Sequence, residues 1–255
     1  MNYLVSIITP SYNCGDYIEE TIKSVLNQTY TNWEMIIIDD CSKDCTKEVV
    51  SKYIKLDDRI KLFSFEKNYG AAVARTKGIK VSKGRFIAFL DSDDIWTKSK
   101  LETQLAFMKK NNYPITCTAY QKIDSLGKPL NKINKAFNKI NYKQLLLENK
   151  VGNSTVIYDV SILGKFEVPN IQKRNDYALW LQILKNTDYI YGYNESLMKY
   201  RIRKGSISSN KFDLLEYHWT LYRDIEKLSV FRSVFHIVYW ASVKLFKTRL
   251  VREVA

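Results

Sequence analysis

Two acidic stretches carry the residues with most chemistry in this chain: Asp39-Asp40 and Asp91-Ser92-Asp93-Asp94. Each directly follows a short apolar run, which puts five carboxylates at the ends of two strands. Carboxylates gathered on one edge repel each other and raise one another's pKa, so a cation is the economical way to hold them together. An Asp-x-Asp with no His or Cys beside it suits a hard divalent ion, Mg2+ or Mn2+, shared with phosphate oxygens. Each stretch also has a plainer reading. Asp39 and Asp40 can cap a helix, and Asp91 to Asp94 can favour the start of the helix that follows.

The elements that would position these groups alternate. Leu4 to Thr9, Trp33 to Ile38 and Phe86 to Leu90 are too short and too rich in Ile, Val and Phe for helices, and read as buried parallel strands. Ile60 to Phe65 is a weaker one. Between them Asp16 to Gln28 and Ala71 to Val81 have helical spacing, and Lys98 to Lys110 follows the second acidic stretch. Strand, helix, strand, helix predicts a Rossmann-like, doubly wound α/β sheet, whose ligands bind beyond the carboxyl ends of the strands. Further on, Ile115 to Gln121, Thr155 to Tyr158 and Leu197 to Ile202 read as strands, and Asp176 to Lys185 and Lys211 to Lys227 as helices. Gly127 to Lys143, with five Lys and no acid, reads as a mobile loop.

The 255 residues carry a net charge of +13, unevenly spread: residues 1–100 hold 15 basic and 14 acidic side chains, so nearly all the excess lies beyond them. From Ser229 on, Val230, Phe231, Val234, Phe235, Val238, Tyr239 and Val243 recur at helical spacing among basic residues, which predicts an amphipathic helix on an anionic membrane surface. Packing on the domain or in a homodimer is the rival cover for that stripe. Four Cys are too few for a disulfide framework and suit a reducing cytosol. No run of about 18 apolar residues and no signal peptide is present, so the expected location is cytoplasmic, peripheral on the inner face of the cell membrane.

Val5-Ser6-Ile7-Ile8-Thr9-Pro10-Ser11-Tyr12-Asn13, Ile37-Ile38-Asp39-Asp40-Cys41-Ser42, Asn68-Tyr69-Gly70 and Arg85-Phe86-Ile87-Ala88-Phe89-Leu90-Asp91-Ser92-Asp93-Asp94 together resemble the family 2 glycosyltransferases, inverting nucleotide-sugar enzymes of GT-A fold. Asn175-Asp176-Tyr177 is similar to the family's acidic pair ahead of a helix, with Asn in place of one carboxylate. The resemblance implies that Pro10 and Tyr12 flank the base, that Asp40 with Asp39 bonds the uracil or ribose, and that Arg75, Asp91 and Ser92 complete the nucleotide site. It further implies that Asp93 with Asp91 holds Mn2+ or Mg2+, that Asp94, Arg201 and Arg203 serve the donor sugar and diphosphate, and that Asp176 is the general base. Arg203 stands where many relatives have His.

The implied organisation is a GT-A domain over 1–210, with a nucleotide-binding half at 1–110 and an acceptor-binding half at 111–210, then a helical basic extension at 211–255. The implied partners are a UDP-sugar, a glycan or lipid-linked acceptor of bacterial surface polysaccharide synthesis, and the anionic membrane. Two rivals differ at the sequence level. A nucleotidyltransferase would open with a Gly-rich basic phosphate loop, which Pro10 to Gly15 is not. A non-enzymatic basic protein that binds nucleic acid would interleave aromatic and basic residues in a recognisable motif, and none is present.

Overall fold

The computed structural model describes residues 3–203 and 213–252. The 210/211 boundary therefore lies outside the described residues. Strands β1 (Val5–Ser11), β2 (Trp33–Asp39), β3 (Ile60–Ser64) and β4 (Phe86–Phe89) alternate with helices α1 (Ile18–Leu26), α2 (Thr46–Ile54) and α3 (Ala71–Val81). Every residue of β1, β2 and β4 is buried, which is why these strands read as largely apolar runs, the buried Ser6 and Glu34 bonding each other across β1 and β2. The short β5 (Ile95–Trp96) and α4 (Lys100–Asn111) follow. Next come β6 (Ile115–Ile123), β7 (Pro129–Asn134), β8 (Lys139–Ile140), α5 (Tyr142–Leu147), β9 (Ile157–Asp159), α6 (Val160–Leu163), α7 (Asn175–Ile183) and β10 (Ile190–Arg201).

All ten strands join one sheet of order β3-β2-β1-β4-β9-β6-β10-β5, with β7 on β6 and β8 on β10. β1 pairs in parallel with β2 and β4, β9 runs antiparallel between β4 and β6, and β10 is parallel to β6. The carboxyl ends of β1, β2, β4, β6 and β10 therefore share one edge. Because successive side chains of a strand point to opposite faces, Val5 and Ile7 join the core under α1, α2 and α4. Ile8 joins the core under α3, α5 and α7.

Gly127 to Lys143 is not the loop its composition suggests. It holds β7 and β8, whose ladder partners are on β6 and β10. Each is a short strand joined to the sheet along one side through backbone groups, which needs no apolar run, so the polar sequence masks the pairing. The chain ends in α8 (Asp213–Thr220), a π turn (Leu221–Ile225) and α9 (Val230–Arg252), with α9 packed on α5, α8 and the π turn. Among the described residues no helix is long and apolar enough to cross a membrane.

Candidate active site at the carboxyl edge of the sheet

β1 and β2 deliver their last residues side by side, with Pro10 opposite Ile38 and Ser11 opposite Asp39. Pro10 is buried inside β1, and Tyr12, just beyond the strand, is exposed. Strand alternation separates the two adjacent aspartates. Asp39 is fully buried; its Oδ2 accepts from the Ser42 N–H at 3.1 Å, and its Oδ1 has no partner among the described residues. Asp40 instead caps the turn into α3, accepting from the Tyr69 N–H on Oδ1 and the Gly70 N–H on Oδ2, both at 2.7 Å. Gly70 has φ +88°, which a side chain would resist, so its identity and the Asp40 carboxylate fix the same turn.

The acidic loop after β4 is held from the second half of the chain. Before β9 a single 3-10 turn, Asn153–Thr155, brings Asn153 Nδ2 to Asp91 Oδ1 at 2.8 Å and Ser154 Oγ to Asp94 Oδ2 at 2.6 Å. Asp94 also accepts from the Arg201 N–H at 3.0 Å on Oδ1. With both oxygens engaged and almost no exposure, Asp94 braces the loop and does not face the cleft, in contrast to its expected place beside the donor sugar. Arg201 is a strut as well: its guanidinium bonds the carbonyls of Asp93 and Ser125 and the Glu20 carboxylate. Ser92 is buried. Arg203 is half-buried and pairs with Asp93 at 2.6 Å.

Arg75 ties this loop to α7. Its Nη2 lies 2.6 Å from Asp91 Oδ1 and its Nη1 donates to Asn175 Oδ1. Asn175 returns its Nδ2 to the carbonyls of Ile171 and Gln172, which locks the head of the helix. Arg174, in the left-handed region at φ +66°, makes the turn that starts α7. Asp176, the next residue after Asn175, is half-buried. Burial raises its pKa, with Arg75 and Arg174 pulling the other way. Desolvation outweighs those cations, so the shift is upward although Asp176 lies in the first turn of a helix.

Asp91 and Asp93 are the carboxylates left for a divalent ion. Burial, then Asp91, raises the Asp93 pKa, while Arg203 opposes the shift, so at Asp93 desolvation and the neighbouring carboxylate outweigh the guanidinium paired with it. Asp91 Oδ2 and Asp93 Oδ1 accept from no other side chain among the described residues. Arg75 Nε is buried with no acceptor among them. No group of three or more His, Cys, Asp or Glu that could hold an ion occurs among the described residues. Two hard carboxylates fit an ion that completes its shell with substrate phosphates and water.

Sequence reasoning missed Asn153 and Ser154, whose short polar stretch carries no local signal, and Glu20, which lies on α1 far along the chain from Arg201. Residues 6–168 match the model for glycosyl transferase family 2. TuaG of Bacillus subtilis, provisionally named a teichuronic acid biosynthesis glycosyltransferase, is 44% identical over 238 residues, covering 93% of this chain and 94% of that protein. WfgD of Escherichia coli, named UDP-Glc:alpha-D-GlcNAc-diphosphoundecaprenol beta-1,3-glucosyltransferase, is 42% identical, covering 93% and 92%. The crystal structure of S. aureus TarS 1-349 in complex with UDP superposes with a TM-score of 0.68 at 20% identity, over 93% of this chain and 70% of that one, a likeness of fold. With the acidic loop, the Arg75 bridge and the α7 head on one sheet edge, the chain belongs to glycosyl transferase family 2 and is a glycosyltransferase of GT-A fold.

Proposed function

We propose that the chain transfers a sugar, with inversion, from a UDP-sugar to a hydroxyl of a lipid-linked glycan acceptor in bacterial surface polysaccharide assembly. The reading rests on one observation: Arg75 joins the acidic loop to the head of α7, so the anchor for a diphosphate and the candidate base belong to one charge network. The named donor and acceptor of WfgD, and a TarS structure in complex with UDP-GlcNAc, point the same way.

Asp91 and Asp93 would hold Mn2+ or Mg2+, which offsets charge on the departing diphosphate. Arg203 beside Asp93 and the spare Nε of Arg75 add positive charge there. Asp176 takes the proton of the acceptor hydroxyl as its oxygen bonds the anomeric carbon; the bond from that carbon to the diphosphate breaks, and UDP leaves with the electron pair. No covalent enzyme intermediate is needed. A lipid-carried acceptor places the work on the inner face of the cell membrane, with the protein associated peripherally.

The test incubates the full chain with a panel of UDP-sugars and a GlcNAc-diphosphoundecaprenol acceptor, following UDP release and the anomeric configuration of product. Inverted product from one donor is the expected result. A retained configuration, or no UDP binding by calorimetry, overturns the reading.

A further inference from the structure

A helix that is apolar on two opposite faces needs a cover on both. α9 is such a helix. One face is settled by the fold: Ser233 and His236 are buried, the His236 ring lies 5.2 Å from that of Tyr222, and the Trp240 ring lies 4.5 Å from that of His218. The opposite face presents Phe231, Val234, Phe235 and Val238, which at 3.6 residues per turn fall within an arc of about 100°. Phe231 is 88% exposed, Phe235 59% and Val238 61%. On the adjoining α8, Leu215 and Trp219 are also exposed.

Charge decides between the two covers an apolar face of this kind could have. Val230–Arg252 contains five Arg or Lys and no Asp or Glu, and the exposed Lys227 precedes it. A two-fold dimer sets the same patch against itself, which here would bring two acid-free basic segments together, with an exposed Arg232 beside the patch in each. An anionic surface meets the same cations with opposite charge and buries the apolar arc. We propose that the outward face of α9 docks along an anionic lipid bilayer, with Phe231, Val234, Phe235 and Val238 at the headgroup–acyl boundary and Arg232 beside them among the phosphates. Because the inward face is packed on α5 and α8, the contact fixes the orientation of the whole catalytic domain and not of a tethered tail. The contact stands on the helix alone; its use, presenting the cleft to a membrane-borne acceptor, rests on the lipid-linked reading above.

The experiment uses the full chain with vesicles of phosphatidylcholine and of phosphatidylcholine–phosphatidylglycerol, the latter also with brominated acyl chains. Trp219 is the exposed native reporter, since Trp33, Trp96 and Trp180 are buried and Trp240 lies on the inward face against His218; Trp240→Phe removes its contribution. Expected are co-sedimentation with the anionic vesicles only, quenching by the brominated lipid, and loss of partitioning by about tenfold or more in Phe231→Ser/Phe235→Ser. Phe231→Asp alone serves where the double variant melts early, since that side chain touches little of the fold. Thermal unfolding reports folding and UDP titration reports the donor site, so failure of the donor reading leaves the vesicle result intact. Unchanged partitioning of the variants, equal binding to neutral vesicles, or a lipid-free dimer that both variants dissociate would overturn the proposal.

Discussion

Arg75 and Asn175, a hundred residues apart in the chain, share a hydrogen bond at the head of α7. An amide there accepts from the guanidinium without neutralising it, so Arg75 keeps its charge for Asp91 and for lowering the Asp176 pKa. Asn175→Asp should therefore shift the acid limb of the rate profile to higher pH, because a second carboxylate opposes ionisation of Asp176. The check is kcat/KM against pH for both proteins; coincident limbs would detach Arg75 from the base.

Asp176→Asn should lower turnover by roughly 10²–10⁴-fold while UDP affinity holds, the range for a positioned base. The same change should raise stability at neutral pH. Burial raises the Asp176 pKa in the folded protein, so the wild type bears the cost of a desolvated charge above that pKa and loses it as pH falls toward the unfolded value. Thermal unfolding at pH 7.5 and at pH 4 should show the variant's advantage at the first and not at the second.

Asp93→Ala should remove the part of UDP affinity that EDTA abolishes in the wild type, and leave the rest. Calorimetry of UDP with Mn2+, with Mg2+ and with EDTA measures it. Identical titrations across the three conditions would dismiss the ion.

Asp40→Ala should act on folding, since both carboxylate oxygens hold backbone N–H groups of the turn before α3. Hydrogen bonds to a charged group contribute about 1.5–3 kcal/mol each, so losing both should show in urea unfolding as a loss on the order of 3 kcal/mol or more. Loss of UDP affinity without loss of stability would give Asp40 the ligand role its sequence suggests.

Lys100 is fully buried, with Nζ 4.1 Å over the Trp96 ring and no hydrogen-bond partner among the described residues. Desolvation holds its pKa well below the usual lysine range. The folded state therefore favours the neutral amine, and stability is lost as pH falls from the ordinary lysine value of the unfolded chain toward the folded pKa. Lys100→Met should be more stable by about 1 kcal/mol or more at low pH, with the advantage shrinking as pH rises, which melting curves at pH 6 and 9.5 would show.

β1, β2 and β4 were legible because burial on both faces writes itself as an apolar run, and the acidic stretches at their ends followed. What each carboxylate does was not legible. Asp39 and Asp40 are neighbours with opposite surroundings, and only the turn at Tyr69 and Gly70 shows that Asp40 is engaged. For Asp176 the sequence displays the cations Lys173 and Arg174 but not the burial that overrides them. Asn153 and Ser154 meet the acidic loop across about sixty residues, a distance at which composition is silent. β7 and β8 hid for the opposite reason: their pairing is to backbone, and backbone leaves no pattern in side chains.

The contact between Glu20 and Arg201 spans 181 residues, and β1 finds β4 only after three helices have passed. Closing such long loops costs chain entropy before any contact repays it. A nascent chain that has emerged only as far as α4 holds β1 to β4 but lacks Asn153, Asn175 and Arg201, so its acidic loop has none of those braces. Synthesis must run to the end of β10 before that loop has all its braces, so a product truncated ahead of Arg201 is expected to be inactive.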